Sequence, residues 1–590
     1  MCSRAWRPRC ALADGSEAAG SDACRLDAGT AEADPGRSID GVLAVAAAAL
    51  LPLVFSPAVS HTFWAPKASV CLLLVGPGLV ALTRLVLAGD TPARVAALFL
   101  AASTVSTLAS GRIALALTGP PNWGTGLVFV AALTGAWALG RSAGEERRRQ
   151  VVLALLLGAL VNALVAWLQS RGLVPPSLES PDRSAGLMGN PVHLGALCAG
   201  GIALTGDLVR HSRRWPAWLA GLLLLGGAAQ LSGSRSAVGL CVLATATVAA
   251  RAGWRRGAAA AGVVLAAFLV AGVWAGAGAV TGSGRSVGPA SGSQVAERAD
   301  LWRLSAGAIL DRPVLGWGPG RFEAATSPRY TAKVTEGGVR VYEDAHNWVV
   351  EYATTTGIVG LALLLAWLAT AAPTASGPLA TFALLGGLFL LVEPQSVGFT
   401  PLVLLAFGAA RRVPPGSPAA TNRGWRVASA VALAGGAATG AVLLTGEVFL
   451  HGASLDNDIA THGRAAAVLP PWPEVSIAGA RIEAFAGLHS APARRRALAL
   501  AGQAARRDPS DAAAWSFLGQ LELVWGTDGQ ATVALDHALD RNPWLAEALQ
   551  RRALLAGRTG DGEAHHDACR RLRVLDKVPE VCGGPATVKP

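Results

Sequence analysis

The chain has 590 residues, of which 52% are hydrophobic, and its formal net charge is +11. This composition excludes a single soluble domain, because one soluble core cannot bury so much apolar surface. Positive charge is also typical of nucleic-acid binding, but here the arginines lie in short turns beside apolar segments. The sequence therefore predicts a membrane protein with no nucleic-acid partner.

Thirteen apolar segments are candidates for crossing a bilayer, whose hydrocarbon core of about 30 Å takes about 20 residues of helix. The predicted fold is all-α: a polytopic membrane helix bundle of about 12–13 spans, followed by a small α-helical repeat domain. The candidate spans lie at about 41–59, 68–88, 95–110, 125–140, 151–170, 192–209, 216–232, 236–252, 257–280, 357–372, 378–392, 397–410 and 427–449.

The distribution of arginines between these spans sets the predicted orientation. Four alternate turns carry three or four arginines each, whereas the turns between them carry mostly single basic residues. By the positive-inside rule, the arginine-rich turns and the N-terminus are cytoplasmic. The predicted parts are a disordered cytoplasmic tail (1–40), a bundle (41–410) with a long outward loop (281–356), a cytoplasmic linker (411–426), a last span (427–449) and an outward C-terminal domain (450–590).

The C-terminal domain contains a short motif that recurs after 34 residues. Arg507-Asp508-Pro509 precedes one apolar helical stretch, and Arg541-Asn542-Pro543 precedes another. This period resembles a tetratricopeptide repeat, in which proline marks the turn into a helix, and a generic helical bundle is the alternative. In either case we expect a docking surface without a catalytic cluster. The sequence leaves open whether Cys569 and Cys582 form a disulfide.

The first candidate site is the turn 232–236 between two predicted spans. Its sequence is Ser-Gly-Ser-Arg-Ser, and Arg235 is predicted to lie just above the hydrocarbon. An arginine in this position presents a planar fork that can bind a phosphate group through two hydrogen bonds. The alternative is an arginine that only anchors the helix end at the interface.

The second candidate site is an amphipathic helix in the long loop, from about Glu297 to Leu310. Arg298 lies one turn before Trp302, so the apolar face can hold the arginine at its edge. A glycine-rich turn at 316–322 follows, and its glycines permit close backbone approach.

The third candidate site is His346, immediately before a predicted span. The carboxylates Glu343 and Asp344 precede it. A histidine in such surroundings titrates near neutrality and can accept a proton during a reaction. The alternative is a histidine that only packs as a polar side chain.

Further motifs surround these sites in a fixed order. They are Ser234-Arg235-Ser236, Arg298 with Trp302, Asp311-Arg312-Pro313 with Gly316-Trp317-Gly318, and His346-Asn347 with Glu351, Gly357 and Gly360. Earlier in the chain are Pro66-Lys67, Gly119 to Gly126, Trp167 to Gln169 and Gly189-Asn190-Pro191. Over about 41–410, this set resembles the O-antigen ligase and polymerase family of bacterial membrane proteins.

The resemblance implies a lipid-linked glycosyltransferase of the bacterial inner membrane. It implies transfer of a glycan from undecaprenyl pyrophosphate to an acceptor hydroxyl on the outer face, without a metal ion or another cofactor. It also implies that Arg235 and Arg298 bind the pyrophosphate and that His346 activates the acceptor.

Other residues are predicted to support this site. Arg321, Arg183 and Lys67 are further candidates for binding phosphate. Asp344 or Glu343 would orient the histidine or replace it as the base. The predicted partners are the undecaprenyl-pyrophosphate-linked glycan, a glycan, lipid or protein acceptor, and an envelope-assembly partner bound by the repeat domain.

Whether the protein is a ligase or a polymerase stays open, and two other function classes are alternatives. The first alternative, a transporter or flippase of lipid-linked glycans, predicts internal repeats in the bundle and charged groups at mid-membrane. Glu393 comes nearest to such a group, but the turn residues after it favour an interfacial position. A non-catalytic membrane scaffold would not depend on Arg298 or His346.

Overall fold

The computed structural model describes residues 39–121, 125–180, 183–279, 292–335, 341–372, 377–411, 423–577 and 579–583. Regular structure in these residues is helical throughout, which confirms the predicted all-α fold. Almost all of the predicted tail at 1–40 and most of the predicted linker at 411–426 lie outside the described residues.

Seventeen α-helices precede the C-terminal domain in the described part of the chain. They are α1 (Ile39–Leu50), α2 (Trp64–Leu87), α3 (Thr91–Ala109), α4 (Ile113–Thr118), α5 (Leu127–Ser142), α6 (Glu145–Gln169), α7 (Pro191–His211), α8 (Trp215–Leu231), α9 (Arg235–Ala252), α10 (Trp254–Ala279), α11 (Gly292–Asp311), α12 (Phe322–Thr326), α13 (Ala332–Thr335), α14 (Trp348–Ala371), α15 (Pro378–Leu390), α16 (Thr400–Ala410) and α17 (Arg423–Asp456).

Among the described residues, eight helices are long and apolar enough to cross a membrane, and five apolar helices are shorter. The long ones are α2, α3, α6, α7, α9, α10, α14 and α17, and the short ones are α1, α5, α8, α15 and α16. Every predicted span overlaps one of these helices, so the polytopic bundle is confirmed. The first span, predicted to reach residue 59, is helical only to Leu50, because Pro52 cannot continue a helix.

The centre of the bundle is α5, which is buried from Phe129 to Arg141. It packs between α2 and α16. Its approach to α2 is close because two glycines face each other: a Cβ on Gly78 would lie 2.3 Å from the Cα of Gly135. Small residues at helix contacts let the backbones of membrane helices pack together in this way.

The span after the long loop begins at Trp348, nine residues before its predicted start at 357. Asn347 caps α14, because its side-chain oxygen accepts the N–H groups of two residues in the first turn. The early turns contain Glu351 and several threonines, which are buried against protein. Counting apolar residues therefore missed the first part of this helix.

The backbone of α14 breaks at Gly357, where φ is 67°. The glycine-rich turn of the long loop binds the backbone groups that the break leaves free. The N–H of Trp317 donates to the carbonyl of Thr354 at 3.1 Å. On the other side of the break, the N–H of Ile358 donates to the carbonyl of Pro313 at 2.8 Å. Such partners are needed near the membrane because hydrocarbon offers none, so the long loop is fixed to α14.

Seven α-helices make up the described C-terminal region: α18 (Ile459–Val468), α19 (Pro473–Gly487), α20 (Ala491–Arg507), α21 (Ala512–Trp525), α22 (Asp528–Arg541), α23 (Ala546–Thr559) and α24 (Gly562–Val574). Each helix packs against the next one in the chain. A disulfide joins Cys569 to Cys582, which answers the question that the sequence left open. The assignment of these helices to tetratricopeptide repeats stays a prediction.

Candidate functional site

A buried carboxylate, Glu393, joins the first two candidate sites. It lies in the turn after α15, and its Oε1 accepts a hydrogen bond from the Ser236 hydroxyl at 2.8 Å. Its Oε2 accepts a hydrogen bond from Nη2 of Arg298 at 3.1 Å. Ser236 follows Arg235, the exposed first residue of α9. The fold thus brings Arg298 and Ser236, the residue that follows Arg235, to one carboxylate.

The start of α9 is fixed by a second serine and by a third arginine. Ser234 caps the helix by accepting the N–H of Ala237, and its hydroxyl lies 2.9 Å from that of Ser236. Arg183 donates from Nε to the carbonyl of Ser232 at 2.7 Å. Of the additional arginine candidates for phosphate binding, Arg183 is therefore the one that lies against the turn 232–236.

Lys67 lies deep in the bundle, with 2% of its surface exposed. Its ammonium group donates to the carbonyl of Val54 at 2.6 Å and to that of Leu187 at 2.8 Å. Its side chain also packs against Gly398. In this arrangement Lys67 ties together three separate segments of the chain, and a phosphate group would have to displace carbonyl partners to reach it.

His346 has a left-handed backbone, with φ of 53°, a conformation that residues other than glycine rarely adopt. The backbone N–H of His346 donates to Oδ1 of Asp344 at 2.6 Å. The indole N–H of Trp302 on α11 donates to the carbonyl of Ala345 at 2.9 Å. The second and third candidate sites are therefore in direct contact, through the tryptophan that the sequence placed one turn after Arg298.

The two carboxylates predicted to orient the histidine lie in different surroundings. Asp344 is buried and bonds the backbone of His346, so it shapes the turn that carries the imidazole. Burial raises the pKa of Asp344 to about 6, although the charge of His346 and hydrogen bonds from two backbone N–H groups oppose that rise. Glu343 belongs to a separate cleft, which it shares with the C-terminal domain.

The turn that begins at Glu393 also reaches the third site. The backbone N–H of Gln395 faces the carboxylate of Asp344 and acts to lower its pKa. The Tyr352 hydroxyl, on α14, donates to the side-chain oxygen of Gln395 at 3.4 Å. Nε2 of the buried His193, on α7, donates to the carbonyl of Pro394 at 3.0 Å. One short turn therefore connects all three candidate sites.

The importance of this turn was missed from the sequence. Glu393 follows an apolar span and precedes a proline, which indicated only an interfacial carboxylate. Its partners Ser236 and Arg298 are 157 and 95 residues away in the chain, so no local pattern could reveal them. The available signal was a lone acidic residue at the same predicted membrane face as the arginines.

Residues 220–365 match a family model described as O-antigen ligase. We call this stretch, residues 220–365, the O-antigen ligase domain after the family that it is similar to. The match contains Arg235, Arg298, Arg321 and His346, whereas Glu393 lies beyond its end. No curated protein matches the chain. The match supports a role in the ligation or polymerisation of cell-envelope polysaccharide. Together with the apolar helices, it indicates a multi-pass membrane protein.

The C-terminal domain is docked onto the O-antigen ligase domain through Arg321. The two terminal nitrogens of this arginine donate to the two carboxylate oxygens of Asp508 at 2.6 and 3.1 Å. One of them also donates to the Ser510 hydroxyl at 2.8 Å. A second contact joins Trp472, whose indole N–H donates to the carbonyl of Gly119 at 2.9 Å. Arg321, a predicted phosphate ligand, is therefore already paired with a carboxylate.

A cavity of about 40 Å³ between the two domains is lined by five carboxylates around Arg321. They are Glu323 and Glu343 from the O-antigen ligase domain, and Glu474, Asp508 and Asp511 from the C-terminal domain.

The carboxylates of this cleft respond differently to their surroundings. Burial raises the pKa of Glu343 to about 7 and that of Asp511 to about 6. Burial and the neighbouring carboxylates raise the pKa of Glu323 well above its usual range. Burial alone would also raise the pKa of Asp508, but Arg321 and Ser510 hold it below its usual range. Burial also raises the pKa of Glu474 to about 7, although its surface is the most exposed of the five.

Raising the pH from 5 to 8 is expected to weaken the docking of the C-terminal domain. Docked Glu343 and Asp511 keep protons that they would lose when solvated, so the docked state binds more protons. The free-energy penalty for docking grows as the pH rises from the usual carboxylate pKa range to about 7. It is absent at a pH below that range. Hydrogen exchange at Trp472 should speed up over this interval, and less so in Glu343→Gln. An exchange rate whose pH dependence is identical in the two proteins would contradict the prediction.

Proposed function

We propose that the protein transfers a glycan from undecaprenyl pyrophosphate to an acceptor hydroxyl on the outer face of the cell membrane, without a metal ion or another cofactor. The observation that carries the proposal is the pairing of Arg298 with Glu393 beside the start of α9 and the His346 turn. These elements lie at one end of the bundle, and the arginines and the histidine belong to the O-antigen ligase domain.

Pyrophosphate is a competent leaving group, so the main task of the protein is to stabilise the charge that develops on it. Arg235 and Arg298 would do this as fixed cations at the edge of a water-poor region, with little reorganisation during the reaction. Glu393 holds Arg298 by one of its two terminal nitrogens, which leaves the other donors of the fork for phosphate oxygens.

The acceptor hydroxyl is too weak an acid to ionise before it attacks. His346 would take its proton while the new bond between the hydroxyl oxygen and the anomeric carbon forms. The bond between that carbon and the pyrophosphate oxygen breaks at the same time, and undecaprenyl pyrophosphate leaves with the electron pair. Attack opposite the leaving group inverts the anomeric carbon. Holding donor and acceptor together supplies much of the remaining acceleration.

The acceptor and the role of the C-terminal domain belong to the same proposal. The acceptor is a glycan, a lipid or a protein, and the C-terminal domain recruits it or an envelope-assembly partner. Docking through Arg321 and Asp508 supports this role, because it keeps the domain beside the long loop that carries His346. The proposed orientation places the N-terminus in the cytoplasm and the domain outside.

The test uses the full chain in liposomes with an undecaprenyl-pyrophosphate glycan from its host. Release of undecaprenyl pyrophosphate is followed with and without host envelope extract, in the wild type, Arg298→Ala and His346→Ala. Arg303→Ala and His566→Ala are matched controls, because both side chains are exposed and lie outside the site.

We expect release that depends on the acceptor, fails in the two site variants and survives in the controls. The size of the product then separates a ligase from a polymerase. Movement of the lipid between leaflets without release would contradict the proposal in favour of a flippase. Equal host function of wild type and site variants, with no release, would indicate a scaffold.

A further inference from the structure

The backbone of His346 has to be held in place by its neighbours. A residue with a side chain in the left-handed region costs about 1–2 kcal/mol relative to its ordinary conformation. The φ of 53° at this histidine therefore persists only where surrounding contacts determine it. Asp344 supplies one such contact to the backbone of His346, and further contacts are made by the residue before it, Ala345.

Ala345 is fully buried, so both of its backbone groups need hydrogen-bond partners. Its carbonyl accepts the indole N–H of Trp302 at 2.9 Å. Its N–H donates to Oε2 of Glu351 at 3.1 Å. Glu351 is 1% exposed and lies in the first turns of α14, whose cap is Asn347. The first part of α14 thus reaches back and closes the turn that carries His346.

We propose that Glu351 is the positioning residue of His346 and that it acts as a hydrogen-bond acceptor to Ala345. The inference rests on the proposed function, because positioning matters only if His346 takes the acceptor proton. Glu351 has no role in the transfer as described above, and it does not contact the phosphate-binding arginines in the described residues.

The acceptor oxygen, and not a negative charge, is the feature that this role requires. The second oxygen of Glu351, Oε1, is buried and has no hydrogen-bond partner among the described residues. A charged carboxylate is costly to bury when its oxygens have no hydrogen-bond partners. The buried Asp344 also lies close enough to repel a negative charge on Glu351. Glutamine has nearly the same shape and keeps an acceptor oxygen, whereas leucine keeps only the bulk.

The first measurement compares Glu351→Gln and Glu351→Leu with the wild type in the liposome assay, with kcat and the acceptor KM determined separately across pH. We expect Glu351→Gln to keep kcat within about threefold. Glu351→Leu should lower kcat at least about tenfold with little change in KM, because only the base is displaced. Thr356→Val is the matched control, since the one hydrogen bond that the Thr356 hydroxyl makes within the described part of the chain is to the carbonyl of Tyr352 in its own helix.

A second measurement separates this inference from the proposed function. Diethyl pyrocarbonate modifies histidine, and mass spectrometry of the peptide that contains His346 gives its rate of modification in each folded variant. We expect equal rates in wild type and Glu351→Gln and a changed rate in Glu351→Leu. This rate tests the position of His346 even if the wild type transfers no glycan.

Two results would overturn the inference. One is a Glu351→Leu protein with the kcat and the His346 modification rate of the wild type. The other is a Glu351→Gln protein that loses as much activity as Glu351→Leu, because the charge would then be the required feature. If Glu351→Leu does not fold, a Glu351→Gln protein whose kcat falls at least about tenfold below that of the wild type would by itself overturn the inference.

Discussion

Arg298→Lys is expected to lower glycan transfer by about a hundredfold or more, although the variant keeps the positive charge. The guanidinium of Arg298 donates one nitrogen to Glu393 at 3.1 Å and retains further donors for phosphate. Lysine offers a single compact ammonium group, which cannot hold both partners in the same geometry. Loss of one preorganised donor at a site of developing charge typically costs a factor of 10²–10³ in kcat. The measurement is kcat for undecaprenyl pyrophosphate release in liposomes.

Arg303→Lys is the control for this prediction, because Arg303 lies on the same helix and its side chain is 75% exposed. We expect it to retain wild-type activity. If Arg298→Lys were as active as this control, the paired fork would not be the feature that stabilises the leaving group.

Asp508→Ala is expected to release the C-terminal domain from the O-antigen ligase domain. The side chain of Arg321 is only 9% exposed, and Asp508 pairs with both of its terminal nitrogens. Removing one partner of a buried ion pair leaves an uncompensated charge and costs about 3–5 kcal/mol. Limited proteolysis between α17 and α18 should become at least about tenfold faster, because the docked surface is then free to open.

Two further variants make this result specific. Asp536→Ala removes a half-exposed carboxylate that pairs with Arg552 inside the C-terminal domain, so it should leave the proteolysis rate unchanged. Combining Arg321→Asp with Asp508→Arg restores the pair with its charges exchanged and should recover part of the resistance to proteolysis. Resistance that is equal in the wild type and Asp508→Ala would show that other contacts, such as that of Trp472, hold the domain.

The sequence was informative where a local pattern carries the physical cause. Runs of apolar residues predicted each of the thirteen apolar helices found in the described residues, because the bilayer requires such length and composition. The motifs around Arg235, Arg298 and His346 were also recognisable, since each is a polar residue beside an apolar segment. Their roles in binding and catalysis stay predictions.

The sequence was uninformative where distant residues pair. Arg321 and Asp508 are 187 residues apart, and only the fold reveals that a predicted phosphate ligand is held by a carboxylate. The left-handed backbone of His346 has only a weak signal in its residue type, because glycine is the residue usually expected at a positive φ. The early start of α14 was missed for a related reason. The polar residues of its first turns are buried against other parts of the protein, whereas a hydropathy pattern indicates only which segments suit contact with lipid.

The break in α14 constrains the order in which this part of the protein is made. Thr354 and Ile358 cannot complete their backbone hydrogen bonds within α14, and their partners Trp317 and Pro313 lie earlier in the chain. During synthesis the glycine-rich turn therefore leaves the ribosome first and is available when the broken helix enters the bilayer. A circular permutation that moved this turn behind α14 would leave the helix with unpaired peptide groups at the moment of insertion. In the natural chain order, the partners of the broken helix are thus made before the helix itself.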